Sequence, residues 1–344
     1  MFQLLHTHAA LNGSLLPAQF SLYAPTAQAV ALVGEMTHWL SAPLPMQRGA
    51  DGVWRISLHL RPGQWLYKFV CDGCLICDPA CALSVADGLG GQQSCLLLGQ
   101  GDWSEYAGCD YGAWQTLSCP SRHLPGASME LWRPAGAHGA LPVLFLLHGY
   151  RMQSNQWRAN GRIAQFAANL MRQAMLPPCM LALPCVVEHS RQAAWQAWFL
   201  QEAPAWLAEC GAALSPGQSV LAGMAQYDVH ALALALAAPG QFGQVLALSC
   251  FFSQNWLQQL AHDLPAWLAA HAPQGGLPFD LQLYCGAQDY VAPRNARLLE
   301  ILQENGLQAP WRRFAGGHTW HDWMGATRAI LLQAGQFFAS RAGS

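Results

Sequence analysis

Four stretches of this sequence carry side chains whose type and order could do acyl-transfer chemistry. The apolar run Val220-Leu221-Ala222 leads into Gly223-Met224-Ala225-Gln226-Tyr227-Asp228, and a helix-like run follows from Val229 to Ala238. Strand, sharp turn and helix are the setting of a nucleophile elbow, G-x-S-x-G, in which glycines allow strand and helix to approach closely. Here the first glycine is Gly223, the serine position is Ala225 and the second glycine position is Tyr227. Further along, Asp289 follows Leu283-Tyr284-Cys285-Gly286, where an acid that orients a histidine would sit. His318 is presented on the glycine turn Gly316-Gly317, after the apolar segment ending at Phe314. Earlier, His148-Gly149-Tyr150 follows a buried-type strand. The backbone N–H groups of Gly149, Tyr150 and Gln226 are candidates for an oxyanion hole. The set reads as a hydrolytic triad with its nucleophile missing, because a methyl group at Ala225 forms no acyl intermediate.

Such groups need a sheet whose strand ends converge. From about residue 128 the sequence alternates apolar strands with helical periods. Buried-type strands are Leu144–Leu147, Met180–Leu183, Val220–Ala222, Val245–Leu248, Leu281–Tyr284 and Trp311–Phe314. Helices are expected over Ile163–Met175, Trp195–Cys210 and Thr327–Phe338. This pattern predicts a doubly wound, mostly parallel α/β sheet. Residues 18–100 differ, with short strands such as Phe20–Tyr23, Val30–Val33, Trp54–Leu58 and Trp65–Phe69. Turn pairs punctuate them at Asp51-Gly52, Pro62-Gly63 and Asp72-Gly73, the signature of a small β-sandwich. The expected division is therefore a sandwich over 1–100, a linker over 101–127 and the α/β domain over 128–344.

The second domain resembles the esterase D and enterochelin-esterase group of α/β-hydrolases, which includes feruloyl esterases. The resemblance rests on Leu141–Gly149, Leu221–Ala225, Phe242–Ser249, Cys285–Asp289 and the stretch from Gly316 to Trp323. It implies an α/β-hydrolase fold, and the order elbow, acid, histidine is the order of that fold. It also implies two glycines where this chain has Tyr227 and Asp228. A single deliberate Ser→Ala change would explain Ala225 but neither of those, so natural loss of the site is the favoured reading. The first domain resembles the glycogen-binding modules of branching enzymes and of the AMP-activated kinase β subunit, which have an immunoglobulin-like fold. That resemblance rests on Val30–Gly34, Trp39, Asp51–Trp54, Pro62-Gly63, Tyr67–Phe69, Asp72-Gly73 and Asp78-Pro79. It implies that Trp39 would stack on a sugar ring and Lys68 would bond its hydroxyls, although Leu75 stands where a second tryptophan is expected.

Composition narrows the remaining classes. Net charge is −2 and Lys68 is the only lysine, so a nucleic-acid partner is not expected. Apolar residues reach 53% and charged residues only 10%, yet no uninterrupted apolar run is long enough for a membrane span. The first 20 residues lack the cationic start of a secretory signal, so a cytoplasmic protein with reduced thiols is expected. With 15 tryptophans and few charges, a homo-oligomer or a protein partner is expected as well. Cys71, Cys74, Cys77 and Cys81 match the spacing of an iron–sulfur run. Because they fall on a strand–turn–strand segment, they read first as hairpin thiols, with an iron–sulfur or zinc site as the alternative. No cofactor or metal is expected. Ser219, Ser249, Cys250 and His230 read as packing residues rather than replacement catalytic groups. Three functions follow: an inactive esterase relative that binds a small ester or a protein, an active siderophore, feruloyl or acetyl esterase carrying a Ser→Ala change, or a glycan-binding protein.

Overall fold

The computed structural model describes residues 3–4, 14–87, 90–149, 156–185, 192–225 and 231–341. Strand β1 is Gln3–Leu4. An all-β sandwich follows, with strands β2 (Leu16–Tyr23), β3 (Val30–Gly34), β4 (Leu44–Pro45), β5 (Gln47–Arg48), β6 (Val53–Leu60), β7 (Gly63–Cys71), β8 (Cys74–Ile76), β9 (Ser84–Ala86) and β10 (Gln92–Leu98). One sheet has the order β4-β3-β7-β10-β9, with β8 paired to β7, and the other has the order β2-β6-β5. Strand β2 alternates buried Ala18, Phe20 and Leu22 with exposed Gln19, Ser21 and Tyr23, so only one face reaches the core. Phe20, Leu32, Trp54, Tyr67 and Phe69 fill the space between the sheets.

The expected hairpin after β7 is present. Asp72 and Gly73 both take positive φ (45° and 85°), the conformation that a two-residue hairpin turn requires. Cys71 pairs with Cys74 across that turn. The Cys77 and Cys81 thiols approach the carbonyls of Gln92 and Leu83, each at 3.1 Å. Among the described residues, no group of three or more His, Cys, Asp or Glu is arranged to hold a metal ion.

The second domain contains β11 (Ala113–Ser118), β12 (Ser128–Arg133), β13 (Leu141–Leu147), β14 (Met180–Pro184), β15 (Ala212–Ala213), β16 (Ser219–Met224), β17 (Phe242–Leu248), β18 (Asp280–Gly286) and β19 (Trp311–Phe314). Its sheet runs β1-β19-β18-β17-β16-β13-β14-β12-β11. Pairing is parallel from β1 to β14 and antiparallel at β14–β12 and β12–β11. The helices are α1 (Gln156–Ala159), α2 (Ile163–Arg172), α3 (Gln192–Ala197), α4 (Ala203–Glu209), α5 (Ala231–Ala237), α6 (Gln254–His271), α7 (Ala292–Glu304) and α8 (Trp320–Arg341). Helices α2 and α8 pack through Phe166, Leu170, Ile330 and Leu331 on one face of the sheet. Trp198, Leu234, Leu257 and Leu298 cover the other. Both faces are buried, which explains why β13, β16 and β17 are nearly uninterrupted apolar runs.

Three features differ from expectation. Ala113–Ser118, inside the expected linker, forms the edge strand β11. Gln3–Leu4 pairs with β19 of the α/β sheet rather than with the sandwich. The helix expected over 195–210 contains a π-turn at Trp198–Glu202, just before Pro204, whose missing N–H interrupts the α ladder. Among the described residues, no helix is long and apolar enough to cross a membrane.

Candidate active site

Parallel strands place their carboxyl ends along one edge of the sheet, and the candidate residues follow four of those ends. Met224 at the end of β16 is level with Leu248 of β17, and Leu248 is level with Tyr284 of β18. Gly286 of β18 is level with Phe314 of β19. Asp289 and His318 therefore leave neighbouring strands.

Two glycines let these loops touch. A Cβ on Gly286 would lie 2.5 Å from the Gly316 carbonyl oxygen. A Cβ on Gly316 would lie 2.2 Å from an oxygen of Asp322, and Gly316 has φ 119°. Gln288 ties the loops further, its N–H donating to Gly316 O at 2.9 Å and its Oε1 accepting from Gly316 N at 2.7 Å. The result is a short contact between imidazole and carboxylate: His318 Nδ1 lies 2.9 and 3.0 Å from the two Asp289 oxygens. The Asp289 side chain has no exposed surface, whereas that of His318 is 18% exposed. Asp289 Oδ1 also accepts the Val291 N–H at 3.0 Å, beside the N-terminus of α7. A buried carboxylate with these donors fixes both the tautomer and the orientation of the ring, leaving Nε2 as the outward nitrogen.

Aromatic rings hold the imidazole on two further sides. Tyr290 lies 4.8 Å from it and Trp323 meets it edge-on at 4.6 Å. Trp323 continues into Trp320 at 5.4 Å and then Trp157 at 5.9 Å. The Trp157 indole N–H donates to Leu147 O at 3.1 Å, so this aromatic wall ends where β13 ends. Trp323 was visible in the sequence through the resemblance; Tyr290 was not singled out there, and its place next to Asp289 was the only signal available.

Ala225, the position expected from the sequence to be the elbow, directly follows the end of β16. Ala225 has φ 45°, a left-handed conformation that costs an alanine about 1–2 kcal/mol. Its N–H donates to Leu248 O at 3.0 Å, and its methyl is half-buried against the cluster that contains Trp323. Of the expected oxyanion-hole residues, Gly149 directly follows buried His148, whereas Tyr150 and Gln226 lie outside the described residues. Tyr227, Asp228 and His230 also lie outside them. His148 Nδ1 is 3.0 Å from Gly149 O, and burial pushes the imidazole down to about 4, so it is neutral near pH 7.

Ser249, read from sequence as packing, proves to be a buried polar contact of the site. It has φ 46° at the end of β17, and its hydroxyl accepts the Trp323 indole N–H at 3.1 Å. It also contacts Cys285, whose thiol burial pushes up to about 12. Cys250 is buried too, with its thiol 3.5 Å from Gly223 O. No sequence pattern marks these long-range pairs.

The two glycan candidates are placed otherwise than expected. Lys68 Nζ pairs with Asp87 at 2.9 Å, with both side chains largely buried. Trp39 is half-buried against the aromatic-rich cluster of the α/β domain. This placement speaks against a site in which Trp39 stacks on a sugar while Lys68 bonds its hydroxyls, because the ammonium is already neutralised and the indole is partly covered.

Comparison with known proteins agrees with both halves. A model of carbohydrate-binding module 48, the isoamylase N-terminal domain, matches residues 15–79, and the esterase family model, described as "Putative esterase", matches residues 126–274. A 1,4-alpha-glucan branching enzyme of Nitrosomonas eutropha is 35% identical over 69 residues, which is 20% of this chain and 9% of that enzyme. The chain thus spans under a tenth of the length of such relatives. Among solved structures, the enterobactin esterase of Shigella flexneri is 19% identical, with a TM-score of 0.69 and coverage of 95% of each chain. The ferric enterobactin esterase of Salmonella typhimurium is 20% identical, with a TM-score of 0.67 and the same coverage. At these identities the likeness is one of fold. Residues 15–79 thus match the carbohydrate-binding module 48 model and residues 126–274 the esterase model, joined in a fold shared with the enterobactin esterases.

Proposed function

We propose that this protein is a catalytically inactive relative of the enterochelin and feruloyl esterases that binds a small ester-like ligand or a partner protein without cleaving it. The observation that carries this reading is a methyl group at the left-handed position Ala225 in a chain that has the His318–Asp289 pair. A base without a hydroxyl to activate forms no acyl-enzyme, and loss of the nucleophile alone lowers turnover in such enzymes roughly a million-fold. Treatment of the folded protein with a fluorophosphonate probe is expected to leave it unlabelled. Hydrolysis of p-nitrophenyl acetate, a feruloyl ester and enterobactin is expected to match the blank. Labelling of any side chain in the cleft overturns the reading.

The intact His318–Asp289 pair also supports a second reading, an active carboxylesterase whose natural chain has serine at position 225. The codon for that position in the source genome decides between the two. Glycan binding through the first domain is the weaker reading, given the Lys68–Asp87 ion pair; a calorimetric titration with maltoheptaose that gives no heat ends it.

A further inference from the structure

Helix α8 starts two residues after His318, and its first turn is closed from both domains. From its own side, the Asp322 N–H donates to Thr319 Oγ1 at 3.2 Å, and Asp322 Oδ2 accepts from Gly317 N and Thr319 Oγ1, each at 2.8 Å. From the sandwich side comes Glu35. One of its oxygens accepts the His321 N–H at 3.1 Å, and the other accepts the Leu66 N–H of β7 at 2.9 Å. The Trp65 indole stacks on the His321 ring at 3.5 Å and 18°. His321 Nδ1 lies 3.0 Å from Gln64 O, and the Gln64 side chain donates to Asn160 O at 2.5 Å. Glu35, Gln64, Asn160 and His321 are all buried. Burial raises the Glu35 carboxyl to about 8, opposed by its backbone donors and reinforced by the neighbouring Asp322. A carboxyl group so thoroughly removed from water belongs where its contacts serve a purpose that an apolar residue cannot.

We propose that Glu35, supported by Trp65, is a positioning residue for His318: the N-terminal module fixes the first turn of α8 and thereby the glycine turn that carries the imidazole. The module is in this respect a structural part of the site. The mechanical link is short. His321 is three residues from His318, and Trp323 in the same first turn touches the imidazole edge-on. A carboxyl group at a helix N-terminus bonds N–H groups that the helix itself leaves unpaired. The inference concerns the placement of the base and rests on the esterase fold, not on the loss of activity proposed above.

The test reads the imidazole rather than turnover. The His318 Nδ1 proton, held by Asp289, is followed by proton NMR as a low-field resonance and assigned by its disappearance in His318→Gln. In Glu35→Ala the resonance is expected to exchange with solvent at least about tenfold faster while circular dichroism shows a folded chain. Glu35→Gln, which keeps one acceptor oxygen, is expected to fall between Glu35→Ala and the unmodified protein. Trp65→Leu is expected to speed exchange as well and decides the matter should Glu35→Ala fail to fold. Lys68→Ala, which removes an ion pair inside the sandwich, is expected to leave exchange unchanged. Exchange in Glu35→Ala and Trp65→Leu equal to that of the unmodified protein overturns the proposal, whatever happens to their melting temperatures. Fluorophosphonate labelling tests the inactive reading separately, so either idea can fail without the other.

Discussion

Two adjacent parallel strands end on a left-handed residue that is not glycine: β16 on Ala225 at φ 45° and β17 on Ser249 at φ 46°. The backbone repeats itself from one to the next. The Ala225 N–H donates to the carbonyl ending β17, and the Ser249 N–H donates to Tyr284 near the end of β18. The side chains divide the two positions. Ala225 is half-buried and has no polar atom, whereas Ser249 has a hydroxyl with no exposed surface, engaged with Trp323 and Cys285. A strained turn at a strand end is therefore insufficient to make a nucleophile; the oxygen must also be reachable and within range of the base. In this chain the turn with room lacks an oxygen, and the turn with an oxygen lacks room.

The change with the largest effect to lose or gain concerns the first turn. Ala225→Ser places an oxygen on a backbone with the left-handed bend of a nucleophile turn, in a chain whose His318 is oriented by Asp289. If the missing atom were the whole defect, most of the roughly million-fold deficit would return. The esterase resemblance implies glycines where this chain has Tyr227 and Asp228, and on the proposed reading bulk at those positions would alter the approach of helix to strand and the N–H groups of an oxyanion hole. Little recovery is expected: steady-state hydrolysis of p-nitrophenyl acetate should remain close to that of the unmodified protein. Substantial turnover from this one change shows that the rest of the elbow is sound.

The second turn gives a smaller effect of a different kind. Ser249→Ala leaves the buried Trp323 indole N–H without its acceptor, which costs about 1–3 kcal/mol of stability. Denaturant unfolding should show this loss. Fluorophosphonate labelling and ester hydrolysis should be the same before and after the change. Any activity that disappears with the Ser249 hydroxyl identifies it as a nucleophile reached through a conformation other than the one seen.

How far the sequence revealed these turns depends on the distance over which each feature is encoded. The contact between Asp289 and the glycine-borne His318 was legible because each lies within a few residues of a strand end marked by an apolar run. The esterase-like α/β fold and the all-β first domain were legible for the same reason. The Ser249–Trp323 bond, the Glu35 contact with α8 and the pairing of Gln3–Leu4 with β19 span 74, 286 and about 300 residues, and no local period encodes them. Edge strand β11 was hidden because it is mostly exposed, with an alternation too weak to separate it from a polar linker. Trp39 and Lys68 show the converse case. The residue types fit a sugar site, but Asp87, nineteen residues away, occupies the lysine.

The smallest effect tests the geometry on which the comparison rests. Glycine normally weakens a protein where it replaces alanine in ordered backbone, by about 0.5–1 kcal/mol, because the unfolded chain gains freedom. At a left-handed position the replacement also removes strain of about 1–2 kcal/mol. Ala225→Gly, which gives up only a half-buried methyl, should therefore be neutral or stabilising by up to about 1 kcal/mol. Ala222, three residues earlier and fully buried within β16, has no such strain to release. Ala222→Gly should lose about 1–2 kcal/mol from chain entropy and the vacated methyl volume together. Unfolding curves for the two variants measured side by side should differ in sign or nearly so. Equal losses mean that the turn at Ala225 is relaxed, and the likeness between the ends of β16 and β17 then has no physical basis.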